Sequence, residues 1–342
     1  MGKTATLRFA DGAERTVEVD GGSTVLSAAL ARGINLLHQC RSGSCGTCVG
    51  RLVSGTVTGL AGRASCLLPS EFESGLRLAC LSLPSDDTKW EFDYPSAELD
   101  GPAPVRVDAK VGGLRWLSDS VAELQLRLPK AGVFSFEAGQ YVRLHVPGTE
   151  ESRCVSMASP AQELPVMKFL VRHIEGGVLS SYLRDRCAPG QTVGVEGPFG
   201  SFVASPAARP RVLVAGGTGL APVLSILDSL RLSGAARQPI QLFFGVARDA
   251  DLFYLDELEL REFWMPALRV RVSVDRPSGS AGGSPRPLHA GSVVSMLEGI
   301  EPEAGAGAYL CGPPGMIEAA SRRLEQAGFP RDQIITERFS AS

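Results

Sequence analysis

The chain has 342 residues, of which 44% are hydrophobic and 21% charged. That is too long for one ordinary core, so two or three globular domains are expected. The net charge of −3 offers no basic surface and excludes nucleic acid as a partner. No run approaches the roughly 20 apolar residues of a membrane span, so no membrane association is expected. Eight cysteines behind an N-terminus patterned like a strand, not a signal peptide, predict a cytoplasmic location.

The N-terminal segment predicts a small, strand-rich domain over residues 1–97. ATLRFA and RTVEVD alternate apolar and polar side chains around Asp11-Gly12, which is the pattern of a hairpin. Ser23 is the expected N-cap of one short helix that ends at Gly33. The strands VGRLVSG, RLACLSL and KWEFDY follow, and the stretch 58–75 has no clear pattern. Proline and acidic residues then predict a linker at 98–104.

The segment 105–205 predicts an antiparallel β-barrel, because short strands recur at close spacing. The strands are ELQLRLP, GQYVRLHVP, RCVSMAS, VMKFLVRHI and QTVGVEG. One helical piece, VLSSYLRDRC, interrupts them.

The segment 206–342 changes to alternating strands and helices. Its near-continuous apolar strands indicate a parallel sheet covered on both faces. The stretch 276–291 is rich in glycine, serine and proline and predicts a mobile surface loop. The chain is therefore expected to be a multidomain protein of α+β and α/β class. The predicted helices of this segment are about 220–233, 250–263, 292–300 and 315–327.

Three cysteines lie in the nine residues CRSGSCGTC. Cys40, Cys45 and Cys48 have the C-x4-C-x2-C spacing of plant-type [2Fe–2S] ferredoxins, whose fourth ligand comes later in the chain. Cys80 is the expected fourth metal ligand because a strand can return it beside the loop, whereas Cys66 has no such context. The small residues between the cysteines allow the backbone to approach a cluster closely.

Other uses of these cysteines fit the pattern less well. Structural zinc prefers two short Cys or His pairs, and only one C-x-x-C is present. A Rieske centre needs two suitably spaced histidines, which the four histidines of the chain do not provide. A redox dithiol needs a thioredoxin-like βαβ context. The stretch LLHQCRSGSCGTCVGRLVSGTV with LRLAC resembles the ferredoxin domain of oxygenase reductases, and this resemblance implies a β-grasp fold.

RCVSMAS (153–159) resembles the R-x-Y-S-x-x-S flavin signature of the ferredoxin–NADP reductase family. The resemblance implies that Arg153 pairs with the FAD pyrophosphate and that Ser156 hydrogen-bonds near N5 of the isoalloxazine ring. Val155 replaces the family's tyrosine and is expected to cover a flavin face. Tyr141 is expected to be ordinary barrel packing. Further FAD contacts are expected from one strand and from the start of one helix: Val171, His173, Gly177, Val178, Leu179 and Ser180.

RVLVAGGTGLAPVLSIL places a glycine-rich turn between an apolar strand and a helix, the context that a nucleotide diphosphate requires. With YLCGPPGM, this stretch resembles the nicotinamide-binding motifs of the same reductases. The residues expected to bind NADH are Gly216, Gly217, Thr218, Gly219, Cys311, Gly312 and Pro313.

The C-terminal TERFSAS resembles the acidic and aromatic end of the family. The resemblance implies that Phe339 stacks on the flavin and that Glu337 orients the ring or relays a proton. With Ser156 and Cys311 these residues form the expected catalytic set. NADH is preferred to NADPH, because Asp249 and Asp251 beside Arg248 would repel a 2′-phosphate.

The order of the three segments resembles the reductase components of benzoate-type dioxygenases and di-iron monooxygenases. This implies an NADH-dependent oxidoreductase with FAD and a [2Fe–2S] cluster. Hydride from NADH would reach FAD, and single electrons would pass through the cluster to a terminal oxygenase component. The alternative is a reductase that serves a cytochrome P450 or a separate ferredoxin. A non-catalytic protein that kept the folds but lost the cofactors is the rival from another class. A monomer is expected.

Overall fold

The computed structural model describes residues 2–38, 41, 43, 46–61, 65–100, 104–205, 207, 209–278 and 286–339. The chain forms two compact units, the first ending before Pro104 and the second spanning Pro104–Phe339. Within the described residues, no helix is both long and apolar enough to cross a bilayer.

The first unit is built on a five-stranded mixed sheet that carries one main helix. The predicted hairpin is confirmed, since its two strands pair antiparallel from Lys3↔Val19 to Arg8↔Glu14. The sheet order is β2-β1-β7-β3-β5, and β4 and β6 form a separate pair. The elements are β1 (Lys3–Arg8), β2 (Glu14–Val19), α1 (Val25–Ala31), β3 (Val49–Ser54), β4 (Val57–Gly59), α2 (Pro69–Glu73), β5 (Leu76–Leu78), β6 (Ser82–Pro84) and β7 (Thr88–Glu91).

Two local predictions in this unit were wrong. Thr24, not Ser23, caps α1, because its Oγ1 accepts the backbone N–H of Ser27 at 3.2 Å. Cys80 lies in the turn between β5 and β6 and not on a strand. A 3-10 turn at Ser96–Asp100 packs Leu99, 8% exposed, against the core of this unit.

The second unit begins with a six-stranded antiparallel sheet, which confirms the predicted barrel. The strand order is β11-β10-β13-β8-β9-β12. A bridge between Met157 and Phe169 joins the two end strands and closes the sheet. The elements are β8 (Val105–Ser118), β9 (Val121–Arg127), β10 (Tyr141–His145), β11 (Ser152–Ser156), β12 (Val166–Arg172), α3 (Val178–Asp185) and β13 (Thr192–Phe199).

The rest of the second unit is a parallel sheet, as predicted, and its six strands lie in the order β17-β16-β15-β14-β18-β19. Alternate residues of β14 point to opposite faces: Leu213 packs with α4 residues, while Val214 packs with Ile317 of α6. Both faces are therefore covered. The elements are β14 (Arg211–Gly216), α4 (Leu220–Leu232), β15 (Ile240–Arg248), α5 (Leu255–Trp264), β16 (Leu268–Arg276), β17 (Leu288–Ala290), β18 (Gly307–Gly312), α6 (Pro314–Gln326) and β19 (Ile334–Arg338).

Two predictions for this sheet were wrong. The expected helix at 292–300 is only a 3-10 turn, Ser295–Leu297. The stretch 276–291 contains β17, because the edge strand β16 offers backbone partners from Val272 to Val274 that composition does not reveal. Residues 279–285 of that predicted loop lie outside the described residues.

Candidate active site and cofactor-binding residues

The predicted cluster ligands can be followed at two of four positions. Cys48 and Cys80 are 2% and 4% exposed. Pairing of β3 with β5 and a hydrogen bond from the Ala79 N–H to the Cys48 carbonyl at 2.9 Å bring their backbones together. Cys40 and Cys45 lie outside the described residues. Two buried cysteines whose backbones are brought together fit the sulfur ligands that an iron–sulfur cluster requires.

Cys66 also lies beside this loop. It is 5% exposed, and its N–H donates to the Gly43 carbonyl at 2.9 Å. A Cβ placed on Gly46 would lie 3.5 Å from the Cys66 Sγ. The structure therefore brings both candidate fourth cysteines to the loop, and the choice of Cys80 stays a prediction.

Three of the four predicted catalytic residues meet in the second unit. Ser156 Oγ, at the end of β11, donates to Glu337 Oε2 at 3.1 Å. Cys311 Sγ, on β18, lies 3.8 Å from the same oxygen. Ser156 and Cys311 are 2% and 0% exposed. Ser156 thus meets a carboxyl group of β19 that lies 181 positions later in the chain, and Cys311 lies beside the same group.

The surroundings of Glu337 favour its protonated form. Burial raises the pKa of Glu337 to about 8, although the hydrogen bonds from Ser156 and Cys311 oppose the shift. Burial is the main reason that the pKa of the Cys311 thiol is raised well above its usual value, and the neighbouring Glu337 adds to the shift. At neutral pH this cluster therefore holds a proton on the carboxyl group and another on the thiol.

Phe339 follows directly on β19. Its N–H donates to the Gly312 carbonyl at 2.8 Å, and its partly buried ring packs against the core shared by the barrel and the parallel sheet. This places the predicted stacking residue beside the Gly312-Pro313 turn that ends β18.

The barrel residues expected at FAD have different surroundings. Arg153 Nη1 lies 2.8 Å from Glu151 Oε2 and 2.8 Å from the Ser152 carbonyl. Val155 and Val171, 9% and 7% exposed, belong to the barrel core. The His173 ring meets Trp116 edge-on, with centroids 5.9 Å apart. A phosphate bound to Arg153 would compete with the exposed Glu151 carboxylate.

The start of α3 keeps its backbone donors for a ligand. Gly177 is the N-cap and Val178 the first helical residue, with no side-chain cap. The Ser180 hydroxyl is 4% exposed and accepts the Ile174 N–H at 2.9 Å, so it braces the turn before the helix. The Gly177 N–H already donates to the Ile174 carbonyl at 3.0 Å, so the site can offer a diphosphate the backbone N–H groups of Val178 and Leu179.

The glycine turn after β14 needs each of its glycines for a different reason. A Cβ on Gly216 would lie 2.6 Å from Met316 Sδ, and one on Gly219 would lie 2.3 Å from the Cys311 carbonyl oxygen. Gly217 has φ +53°, and a Cβ there would meet nothing within 4 Å. Together with Thr218, the turn approaches β18 closely on one side and leaves open space for a diphosphate on the other.

Gly219→Ala is expected to destabilise the parallel-sheet part by about 2 kcal/mol or more, because the added methyl group meets the rigid backbone of β18. Gly217→Ala is the matched control, with only the cost of a positive φ, about 1 kcal/mol. Chemical denaturation of both variants measures the difference. Equal stability of the two would contradict the close approach of the turn to β18.

Two residues near Glu337 were not predicted for the site. A Cβ on Gly200 would lie 3.4 Å from Glu337 Oε1 and 2.9 Å from the Tyr141 ring. Tyr141 is 3% exposed, as its packing role predicts, and stacks on Phe199 with centroids 5.8 Å apart. The sequence signal was EGPFGSF at the end of β13, whose glycine lets the chain pass close to the carboxyl group.

Three family descriptions match the chain in the predicted order. The 2Fe-2S iron-sulfur cluster binding domain matches residues 8–85. The oxidoreductase FAD-binding domain matches 108–203, and the oxidoreductase NAD-binding domain matches 213–322. These matches confirm FAD, a [2Fe–2S] cluster and NADH as the redox groups.

Two relatives match nearly the whole chain. The toluate 1,2-dioxygenase electron transfer component of Pseudomonas putida is 33% identical over 98% of this chain and 97% of its own. The ferredoxin–NAD(+) reductase component of the Xanthobacter autotrophicus alkene monooxygenase system is 35% identical over 97% and 100%.

Among solved structures, the Amycolatopsis cytochrome P450 reductase GcoB has a TM-score of 0.71. It is 29% identical and covers 98% of this chain and 99% of its own. The relatives, the three domain matches and the order of the folds agree. The chain belongs to the family of iron–sulfur flavoprotein reductases that are the electron-transfer components of multicomponent oxygenases.

Proposed function

We propose that this protein takes hydride from NADH at the Ser156–Glu337–Cys311 cluster and delivers single electrons to a terminal oxygenase component. The carrying observation is that Ser156 of the flavin barrel and Cys311 of the parallel sheet meet at one carboxyl group. The oxygenase is either an aromatic-ring dioxygenase or a di-iron monooxygenase, and the relatives that serve a toluate 1,2-dioxygenase and an alkene monooxygenase support this pair of classes. A monomer in the cytoplasm completes the proposal, and eight cysteines suited to a reducing compartment support the location.

The chain's own residues would bind and orient FAD and hold a proton close to it. Bound FAD supplies the exchange between a two-electron hydride and the single electrons that an iron–sulfur cluster accepts. Arg153 and the start of α3 would hold its diphosphate, while Val155, Val171 and His173 would line the ring or its ribityl chain. Glu337 would keep a proton available through the Ser156 hydroxyl.

At the nucleotide end, the chain's own contacts favour NADH. Arg248 Nε and Nη2 lie 3.0 and 3.1 Å from the two carboxylate oxygens of Asp251, a two-pronged ion pair. The Asp249 carboxylate accepts the backbone N–H of Ser278 and its hydroxyl, the latter at 2.7 Å, and these hydrogen bonds lower the pKa of Asp249. The Arg248 guanidinium is thus already paired, and a 2′-phosphate bound at this segment would meet the carboxylates of Asp249 and Asp251.

A second acceptor is a cytochrome P450, which the full-length likeness to GcoB favours. The chemistry of the site does not change with this acceptor, because the electrons leave through the cluster in both cases. The choice between an oxygenase and a P450 depends on which of these proteins can dock on the domain that carries the cluster.

Anaerobic titration of the purified protein tests the proposal. We expect stoichiometric FAD and two irons per chain, since a plant-type cluster holds two. NADH should bleach the flavin bands and produce a paramagnetic cluster signal, with NADPH much less effective. A purified aromatic-ring dioxygenase, a purified di-iron monooxygenase and a cytochrome P450 are then offered as electron acceptors. Zinc in place of iron, or no bleaching by NADH, would refute the function, whereas transfer only to the P450 would leave the second candidate.

A further inference from the structure

The flavin barrel and the parallel-sheet part of the second unit meet at a buried carboxylate. Glu123, on β9, is 5% exposed. It accepts Arg115 Nη2 at 3.2 Å and Gln125 Nε2 at 2.7 Å, both from the barrel. Its third donor is the hydroxyl of Tyr254, the residue before α5. Burial opposes ionisation of Glu123, yet its three hydrogen bonds and the charge of Arg115 together lower its pKa, and the Tyr254 hydroxyl is the largest of these favourable contributions.

Tyr254 reaches this carboxylate with an unfavourable backbone. Its φ and ψ are 59° and 25°, in the left-handed region. Only Arg41 shares a positive φ among the described non-glycine residues. The neighbouring Phe253 is 4% exposed and packs on Phe244 with ring centroids 5.3 Å apart, which anchors the segment. A strained conformation persists where surrounding contacts enforce it, and such strain concentrates at functional sites.

A second contact ties the same segment to the barrel. Ser120 Oγ, in the turn between β8 and β9, donates to Asp251 Oδ1 at 2.7 Å. The Ser120 carbonyl accepts the N–H of His173, a residue predicted to contact FAD, at 2.8 Å. The segment 248–254 follows β15 at the carboxyl end of the parallel strands, where sheets of this kind bind their ligands. These hydrogen bonds therefore connect the barrel to the edge of the parallel sheet at which the coenzyme is expected to bind.

We propose that Glu123 and Tyr254 are positioning residues for hydride transfer, which hold the coenzyme-binding edge of the parallel sheet at a fixed distance from the flavin barrel. The proposal rests on the proposed function, in which one hydride passes from NADH, which is oxidised to NAD⁺, to bound FAD, which is reduced. Neither residue needs to touch coenzyme or flavin. Because a misplacement of about 1 Å can slow such a reaction roughly a hundredfold, a loosened boundary lowers the rate without removing the binding sites.

Tyr254→Phe in the FAD- and iron-loaded protein tests the proposal. The limiting rate of flavin reduction by NADH, from stopped-flow absorbance, should fall about tenfold or more. The NADH concentration for half-maximal rate should change little. Hydrogen–deuterium exchange should accelerate across 248–264, a readout independent of activity. The matched control is Tyr182→Phe, which removes a buried hydroxyl that donates to Gln191 Oε1 at 2.9 Å inside the barrel. It should change neither the limiting rate nor the exchange of 248–264.

Glu123 provides a second pair of variants should Tyr254→Phe fold poorly. Glu123→Gln keeps an oxygen that Tyr254 can meet and should retain more of the rate than Glu123→Ala. An unchanged limiting rate in Tyr254→Phe, or an equal loss in Tyr182→Phe, overturns the positioning role. Equal rates for Glu123→Gln and Glu123→Ala also overturn it. Wild-type protein that NADH cannot reduce would refute the proposed function instead, so the two failures are distinguishable.

Discussion

We expect Cys80→Ser to remove the iron–sulfur cluster while NADH-driven reduction of ferricyanide survives. Cys80 lies in a buried turn, and the N–H of the preceding residue, Ala79, donates a hydrogen bond to the Cys48 carbonyl. Serine at position 80 therefore puts a hydroxyl where the expected metal site needs a thiolate. Ferricyanide can take electrons directly from reduced flavin, which the second unit holds without the cluster. Iron content and the paramagnetic signal should be lost, and transfer to an oxygenase should fall at least about tenfold with them.

Cys66→Ser is the matched control, because Cys66 is equally buried and lies next to the same loop. We expect this variant to keep its iron and its transfer to the oxygenase. If Cys66→Ser loses the cluster and Cys80→Ser keeps it, the ligand assignment is reversed. If ferricyanide reduction disappears in a folded Cys80→Ser variant with bound FAD, the order of electron flow is wrong.

The sequence predicted the sheets better than their edges. Alternating strands around Asp11-Gly12 and apolar runs such as RVLVAGG carry their periodicity locally, so the hairpin and the parallel sheet followed directly. The strand β17 did not, because its partner β16 lies at least ten residues away and LHA has no pattern of its own. Thr24 and Ser23 are both good caps, and only backbone geometry separates them.

Some residues of the site could also be predicted from the sequence, and others could not. Arg153, the glycine turn and Cys311 stand in motifs that neighbouring residues define, and they could be named in advance. The contact of Ser156 with Glu337 spans 181 residues, and that of Glu123 with Tyr254 spans 131. No local pattern marks Glu123 as buried, since it occupies a strand position that alternation allows to be exposed. Contacts between domains therefore needed the folded structure.

Glu337→Gln should slow flavin reduction by NADH about a hundredfold at neutral pH, the size expected when a positioned proton donor is lost. The pKa of Glu337 is raised to about 8, so the wild-type carboxyl group carries its proton at pH 7 and loses it above pH 8. The wild-type rate should therefore fall as the pH rises through about 8. The glutamine variant cannot ionise and should show no such step in stopped-flow measurements from pH 6 to 9.

The proton on Glu337 also makes the stability of the folded protein depend on pH. An unfolded glutamate ionises near its ordinary pKa of 4.5, whereas folded Glu337 keeps its proton to about pH 8. Between these values the folded state binds one more proton, so this group's contribution to stability is present at low pH and disappears as the pH rises to 8. The difference in melting temperature between pH 6 and pH 9 should be smaller in Glu337→Gln than in wild type. Glu325→Gln, an exposed carboxyl of α6, should leave both the rate step and this difference unchanged. A pH step that persists in Glu337→Gln would assign the titration to another group.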